Sequence, residues 1–350
     1  MPVVALQCQS CGGELKFNAA KGKFICEFCG SAYTKEELEA AEKQATEAEV
    51  EKENTPLDEE SGAVLYSCPN CGGEVISDET TAATECYYCH SPVILSGRVS
   101  GKYLPNRLIP FKYDKKAAIE KFREWTSKKY FLPKYFFNED NIEKLSGVYF
   151  PYWIVDVDTH VKYHAEGDRV SSWTSGNYIY TKHSLYNVER EGDVHLEDII
   201  KSALSKESKE LIENVQPFDE QALEPFSMSY LSGFLAERRD IEQKELENEV
   251  HKDIYDYSKK VVEDSVTGYT SRAEKHFSSK PDKIDWEYGL LPVWTLTYMH
   301  NGKVYYYAMN GQSGKICGKL PVDEKKLLSV AGLVSFAILL VGTIVGYFFI

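Results

Sequence analysis

Apolar side chains in the middle of the chain recur at two different spacings. Residues 147–156 form a continuous apolar run that predicts a buried strand, and alternating apolar and polar positions continue it toward Tyr163. The aromatic stretch 178–186 predicts a partner strand. A region at about 196–266 is expected to be helical, and its clearest helical spacing of three or four residues joins Leu246, Val250, Ile254, Tyr257 and Val261.

Two further patterns flank this region. Asp114 is a typical N-cap residue. The helix that follows it has apolar positions at Ile119, Phe122 and Trp125. Residues 291–299 and 303–309 predict two strands, because the intervening His300-Asn301-Gly302 is a strong hairpin signal. These patterns together predict the α+β class, with a mixed α+β body that contains antiparallel strands.

The stretch 327–350 contains 24 residues and no charged side chain. At about 1.5 Å per residue, a helix of that length spans roughly 36 Å and can cross a bilayer core of about 30 Å. Lys325 and Lys326 precede it, so the positive-inside rule places the rest of the chain in the cytoplasm. We expect a single-pass, tail-anchored protein of the cell membrane. Gly342 and Gly346 have the spacing of a close helix–helix contact, which would allow a homodimer.

Charge divides the chain further. The protein has 40 basic and 54 acidic side chains, a formal net charge of −14, which argues against binding nucleic acid through bulk electrostatics. Residues 35–62 carry 11 acidic side chains, three lysines and few apolar residues, which predicts a solvated linker. We expect this linker to let the segments on its two sides move independently.

Eight of the nine cysteines form two quartets with the same spacing, C-x2-C-x14-C-x2-C. The quartets lie 60 residues apart, and the residues around their first pairs nearly match, which indicates an internal duplication. Four thiolates at this spacing are typical of a zinc ribbon with Zn²⁺ in a tetrahedral site. The first quartet is Cys8, Cys11, Cys26 and Cys29, and the second is Cys68, Cys71, Cys86 and Cys89.

Other uses of paired cysteines fit less well. A disulfide framework needs an oxidising compartment, whereas the N-terminus shows no secretion signal. A redox C-x2-C motif needs a strand-to-helix setting that neither pair has. Four protein ligands leave no coordination position for water or substrate, so we expect two structural zinc sites. Cys317 stands alone and is expected to be a small buried hydrophobe.

These patterns divide the chain into five segments. We expect zinc ribbon 1 at 1–34, the acidic linker at 35–62, zinc ribbon 2 at 63–101, the α+β body at 102–322 with its helical insertion at about 196–266, and the transmembrane helix at 327–350. Neither ribbon has the cluster of Lys and Arg that a phosphate-binding ribbon requires.

Catalytic motifs are absent from the sequence. It has no Gly-x4-Gly-Lys-[Ser/Thr], which excludes an ATP-driven helicase or pump, and no His-Glu-x2-His or Gly-x-Ser-x-Gly. His160 and His164 share one face of a strand and are expected to be ordinary surface side chains. We therefore expect that the protein is not an enzyme. An enzymatic site would need carboxylates with strongly shifted pKa values, and the candidates are Asp156, Asp158 and Glu166.

An aromatic cluster around Pro133 has two interpretations. Exposed aromatic side chains would mark a partner groove or a surface that touches the membrane. Buried ones would belong to the core, which is the interpretation we favour. The members of the cluster are Tyr130, Phe131, Tyr135, Phe136 and Phe137.

Several of these motifs together resemble those of bacterial zinc-ribbon membrane proteins labelled "TFIIB-type zinc ribbon-containing". The resemblance covers nearly the full length, although only the cysteines are specific residue by residue. The motifs are the doubled cysteine quartet, the strand Gly-x-Tyr-x-Pro-x-Trp from Gly147, the octapeptide at 230–237, the Asn310-Gly311-x2-Gly314 turn and the apolar helix. It implies partners similar to a flotillin-like SPFH protein and to a phage-shock-protein-A homologue, and a role in membrane stress.

Three functions are compatible with these observations. The one we favour is a non-enzymatic adaptor that recruits cytoplasmic proteins to the membrane. The alternative is a membrane-tethered module that binds DNA or RNA without helicase activity, in which Phe24, Phe28, Tyr87 and Tyr88 would stack on bases. The third is an enzyme whose site in the body has no recognisable motif.

Overall fold

The computed structural model of the protein describes residues 3–4, 6–38, 63–67, 74–78, 80–86, 92–95, 101–133, 142, 144–205, 214–300 and 303–349. Over these residues it is a mixed α+β fold with antiparallel strands, as the sequence predicts. The longer helices are α1 (Lys115–Ser127), α2 (Gln243–Ser265) and α3 (Glu324–Phe349), and short 3-10 helices lie at Gly101–Tyr103, Glu220–Ala222 and Met228–Leu231. The strands are β1 (Val3–Val4), β2 (Leu15–Asn18), β3 (Lys23–Cys26), β4 (Ala32–Tyr33), β5 (Ala63–Ser67), β6 (Glu74–Asp78), β7 (Thr81–Glu85), β8 (Pro92–Leu95), β9 (Arg107–Leu108), β10 (Ser146–Ser175), β11 (Tyr178–Ser202), β12 (Glu224–Pro225), β13 (Leu235–Glu237), β14 (Ser271–His300), β15 (Lys303–Asn310) and β16 (Ile316–Lys319).

Three long strands form the centre of the largest sheet. β10 lies between β11 and β14, and both neighbours run antiparallel to it. The three-stranded part ends at Asp168, which lies opposite Leu185 on β11 and Ser271 on β14. Beyond it, β10 and β11 continue as a two-stranded hairpin that turns after Ser175; we call residues 169–184 the hairpin end. The predicted pairing of the aromatic stretch with the buried strand is confirmed.

The first third of β10 is buried on both faces, which explains its continuous apolar sequence. From Asp156 onward one face becomes polar and the strand alternates between buried and more exposed positions. The buried strand is therefore confirmed, as is its alternating continuation. One buried face joins the main core through Tyr149, Trp153, Val155 and Val157, and the other joins a second core through Val148, Phe150, Tyr152 and Ile154.

Helix α2 packs across the alternating part of the sheet. The sequence predicts the first three of its buried positions, but Tyr257 and Val261 are about half exposed. A contact stripe with a constant spacing of four winds around a helix of 3.6 residues per turn, so α2 crosses the strands at an angle. The side chains that are buried are Leu246, Val250, Ile254, Ser258 and Val262.

The helical region is shorter than the sequence suggests. Residues 196–202 continue β11, because they pair with β10 as far as Ser202. Residues 214–242 form turns, short 3-10 helices and short strands, and the long helix occupies Gln243–Ser265. The apolar residues of 196–202 lie in a strand beside β10. Their spacing alone does not distinguish a strand from a helix.

The elements around α1 and β15 follow the sequence closely. The Asp114 side chain accepts a hydrogen bond from the Ala117 amide at 2.8 Å, so the predicted N-cap is confirmed. α1 packs on β15, where the Phe122 ring meets the edge of Tyr307 at 4.8 Å between centroids. β14 ends at His300 and β15 begins at Lys303, which confirms the predicted hairpin.

α3 is the most apolar helix of the described residues. Its segment Glu324–Ile344 is long and apolar enough to cross a membrane, and the most apolar part of that segment is not buried against the rest of the protein. A core helix of this composition would be covered by neighbours. The homodimer through Gly342 and Gly346 stays a prediction.

Candidate metal centre

The two cysteine pairs of the first quartet lie in turns of the same geometry. In the first turn the Gly12 amide donates to the Cys8 carbonyl at 2.8 Å, and in the second the Gly30 amide donates to the Cys26 carbonyl at 2.9 Å. Both glycines have a positive φ, 72° and 76°, which a residue with a Cβ rarely adopts. The repeat of C-x2-C followed by glycine therefore produces two equivalent loops. These loops carry the four thiols to one point.

Four sulfur atoms meet at that point. The Sγ atoms of the first quartet all lie within 4.8 Å of one another. Cys8 Sγ and Cys29 Sγ are 3.6 Å apart, and Cys11 Sγ and Cys26 Sγ are 3.5 Å apart. A tetrahedron with Zn–S bonds of about 2.3 Å has edges of about 3.8 Å, which these distances match, whereas a disulfide requires about 2.05 Å. The geometry fits a four-thiolate metal site and not a disulfide.

Hydrogen bonds prepare some of these sulfurs to be thiolates. The Tyr33 hydroxyl lies 3.4 Å from Cys8 Sγ and lowers the pKa of that thiol to about 6. The Ser31 hydroxyl similarly lowers the pKa of Cys29. The Gly13 amide favours the thiolate of Cys11, but the neighbouring sulfurs of Cys29 and Cys26 outweigh it and raise that pKa to about 12. A divalent cation would take the place of the protons that such crowded sulfurs retain.

The segment that carries the first quartet also packs against the body. Phe17 on β2 meets the Tyr230 ring edge-on at 5.0 Å, and Phe24 on β3 lies 5.8 Å from the same ring. The Ser232 hydroxyl donates to the Leu15 carbonyl, and the Phe17 amide donates to the Ser232 carbonyl at 3.2 Å.

This contact corrects the expectation that the linker leaves the first ribbon independent. Phe17 and Phe24 are buried in the same core cluster as the body residues Phe111 and Trp294. An acidic linker sets only how far apart the segments on its two sides can move. Whether those segments pack against each other depends on their own apolar surfaces. The residue bounds of the five segments stay predictions.

The second quartet lies mostly outside the described residues. Cys68, Cys71 and Cys89 are among the residues that are not described, and Cys86 is buried directly after β7. β7 pairs with β13 of the body at Ala83 and Ala236. The second zinc site therefore stays a prediction.

The other candidates from the sequence remain apart from any metal site. In the described part of the chain, the first quartet is the group whose side chains could hold a metal ion. The His160 ring contacts Asp193 at 2.7 Å and Glu191 at 3.2 Å on the solvent side of the sheet, as expected for a surface histidine. Cys317 is partly buried, and burial raises its pKa.

Sequence reasoning missed one unusual carboxyl group, that of Glu220. Burial raises its pKa to about 9, and the carboxylates of Asp198 and Asp156 add to the effect. The Asp198 amide donates to Asp156 Oδ1 at 3.0 Å, which brings the acidic groups together. Asp156 was a candidate from the sequence, but Glu220 is distant from Asp156 and Asp198 in the chain, so no local motif could have linked the three. Among the residues that the structure describes, no group of ligand atoms closes around them as at the first quartet.

The structure describes only part of the aromatic cluster around Pro133. Tyr130 is 73% exposed, whereas Leu132 beside it is buried. The core interpretation is thus wrong for Tyr130. Tyr135, Phe136 and Phe137 lie outside the described residues.

One known protein is similar to the chain over its whole length. The uncharacterized protein YdjG of Bacillus subtilis (strain 168) is 30% identical over 350 residues, which cover 98% of this chain and 99% of YdjG. The chain belongs to the YdjG family. No family profile matches it, and no solved structure matches it either. Because YdjG is uncharacterized, membership of its family assigns no activity, and the function has to be argued from the residues.

Proposed function

We propose that the protein is a membrane-anchored adaptor without enzymatic activity, which recruits cytoplasmic proteins to the bacterial membrane during membrane stress. The observation that carries this proposal is the closed four-thiolate site, whose ribbon packs into the core of a body that ends in an apolar helix. Such a metal organises a surface and leaves no position for a substrate. The partners we propose are flotillin-like SPFH proteins and phage-shock-protein-A-like proteins.

In this proposal the metal is Zn²⁺ and its role is structural. Cys8, Cys11, Cys26 and Cys29 would hold one ion, and the second quartet would hold another. Zinc suits this role because it accepts four thiolates in a tetrahedron and has no redox chemistry. The ribbon's small core, centred on Phe17 and Phe24, then presents a fixed face to Tyr230.

The anchor in this proposal is α3, which crosses the bilayer and leaves the body in the cytoplasm. Lys325 and Lys326 precede its apolar part, which supports that orientation. Reduced thiols at the first quartet require a reducing compartment, which also favours the cytoplasm.

The hairpin end supports a role in recruiting proteins. It extends beyond β14 and offers apolar side chains to solvent. Exposed aromatic side chains are enriched where proteins bind one another. In the described residues of the hairpin end, the large exposed side chains are Trp173, Tyr178, Ile179 and Tyr180.

Nucleic-acid binding receives less support. Phe24, one of the four aromatic residues proposed to stack on bases, is buried against Phe17 and Tyr230. Phe28 is exposed, but the nearby Lys16 is paired with Glu27 at 3.0 Å. A single-strand binding surface needs several free cations beside its aromatic side chains.

Affinity purification of the tagged full chain from detergent-solubilised bacterial membranes tests the proposal. Each sample is divided and treated with or without nuclease, and bound proteins are identified by mass spectrometry. We expect flotillin-like or phage-shock-protein-A-like proteins to survive nuclease. We also expect the double variant Trp173→Ala/Tyr180→Ala to retain fewer of them, while Tyr257→Ala on α2 retains them all. Partners that vanish with nuclease would contradict the adaptor and favour nucleic acid.

A further inference from the structure

The turn after α1 is attached to the first residues of α3. The Asp323 amide donates to the Phe131 carbonyl at 2.7 Å, and Lys326 Nζ donates to the Leu132 carbonyl at 2.8 Å. The exposed apolar surface of α3 begins at the next residue, Leu327. One helical turn rises 5.4 Å, so this turn of chain lies within a few ångströms of the point where the apolar helix surface starts.

The side chain that this turn presents to solvent is amphipathic. Tyr130 is 73% exposed and meets the Phe131 ring edge-on at 5.2 Å. Leu132, two residues further on, is buried in the main core. Tyrosine side chains are enriched at the boundary between lipid and water, because the ring is apolar and the hydroxyl remains solvated.

The charge around Tyr130 is opposite in sign to that of the whole protein. Residues 112–130 carry seven basic and three acidic side chains, a net charge of +4 in a chain of net −14. Lys128 pairs with Glu124 at 2.8 Å, and Lys129 lies over the Trp125 ring at 5.3 Å. Lys128 and Lys129 are both exposed, so their charges remain able to attract anions.

We propose that Lys128, Lys129 and Tyr130 form a membrane-contacting surface, in which the two lysines bind anionic phospholipid headgroups and Tyr130 lies at headgroup level. The occupant is the bilayer that α3 enters, since Asp323 and Lys326 hold this turn at the start of that helix. This inference rests on the proposed membrane anchor. It adds that the end of α1 faces the bilayer, which fixes how the body is oriented above it.

Hydrogen–deuterium exchange of the full chain in lipid nanodiscs tests this surface. One set of discs contains phosphatidylcholine alone, and the other contains phosphatidylcholine with phosphatidylglycerol. We expect the amides of 126–132 to exchange several-fold more slowly in the anionic discs. Lys128→Glu/Lys129→Glu should abolish that difference, and Tyr130→Ala should reduce protection in both lipids. The matched control Lys252→Glu/Lys260→Glu changes the charge equally on exposed positions of α2 and should keep the difference.

Two kinds of failure are distinguishable in this experiment. A chain that does not co-elute with nanodiscs contradicts the anchor, and the lipid surface then fails with it. A chain that co-elutes, but whose 126–132 segment exchanges equally in both lipids or is unaffected by the charge reversal, overturns the lipid surface and leaves the anchor intact.

Discussion

The central sheet carries aromatic residues at both ends, but only the end at residues 146–155 of β10, which we call the body end, buries them. At the body end, Phe111 stacks on Phe234 at 4.1 Å between centroids, and both contact Tyr149 and Trp294. All four of these side chains are buried. At the hairpin end, Trp173 stacks on Tyr180 at 5.7 Å, and both remain about half exposed.

The difference lies in the layers around the strands and not in the strands themselves. At the body end, β10 has strands on both edges and apolar clusters on both faces, and the first ribbon adds Phe17 against Phe234. The hairpin end lacks these layers, because β14 begins only at Ser271, opposite Asp168, and α2 ends at Ser265. An aromatic side chain on a two-stranded ribbon has one neighbour to pack against, and such ribbons gain little stability alone.

Carboxyl groups mark the end of the second core. Asp156 is the first charged position on the face of β10 that joins the second core, and Asp198 and Glu220 lie near it. Phe218 and Leu223, close to Glu220 in sequence, still belong to the second core. The apolar cluster therefore ends at a group of acids.

Removing a ligand of the first quartet should produce the largest effect. We expect Cys26→Ser to release the metal and also to lower the melting temperature of the body, because the ribbon packs into the body's core. Binding free energies of about 10–16 kcal/mol for structural zinc in peptides set the scale. Metal content by mass spectrometry and thermal unfolding in detergent check both parts. An unchanged melting temperature of the body, with metal lost, would show that the two units are uncoupled.

Truncating the stacked ring at the body end should be the next largest change. Phe234→Ala removes contacts with Phe111, Tyr149 and Trp294, and we expect it to cost about 3–5 kcal/mol. At about 2 °C per kcal/mol for a body of this size, that corresponds to a fall of roughly 6–10 °C in the melting temperature. Denaturant unfolding of the full chain in detergent measures the free energy. A cost below about 1 kcal/mol would mean that this cluster is not packed as the structure has it.

The acids at the end of the second core should make stability depend on pH. Glu220 has its pKa raised from 4.5 to about 9 in the folded protein, so between these values the folded state binds more protons than the unfolded state. Stability from this group should therefore fall as the pH rises through that window. Glu220→Gln should remove this part of the decline, measured by thermal unfolding from pH 5 to pH 9. Parallel curves for the wild type and the variant would refute the raised pKa.

The smallest effect should come from the hairpin end. Trp173→Ala removes a half-exposed ring with one stacking partner, and we expect a change in stability of less than about 0.5 kcal/mol. The contrast with Phe234→Ala in the same unfolding assay measures how far the two ends differ. Equal costs at both positions would remove the distinction between them.

Local signals in the sequence predicted the parts of the molecule that depend on local geometry. The cysteine spacing identified the first quartet, because two residues between cysteines suffice to bring both sulfurs to one metal. Asp114 and the turn after His300 act within four residues and were found in the same way. The site's ligands could thus be named without a fold.

Contacts between distant segments could not be predicted from those signals. The acids around Glu220 and the docking of Phe17 on Tyr230 join residues far apart in the chain. The exposure of Trp173 depends on where β14 begins, at Ser271, which the alternating pattern of β10 does not encode. Ser258 is buried in place of Tyr257 because of the angle at which α2 crosses the sheet.

The contact between Ser232 and Leu15 spans 217 residues, and this separation sets an order of events during synthesis. The first ribbon leaves the ribosome early, but its docking partners follow only after about two thirds of the 350 residues have been made. Phe17 and Phe24 therefore stay uncovered for most of translation. The strands of the hairpin are neighbours in the chain, so they can pair as soon as both exist. The exposed hairpin can thus form before the first ribbon docks on the body.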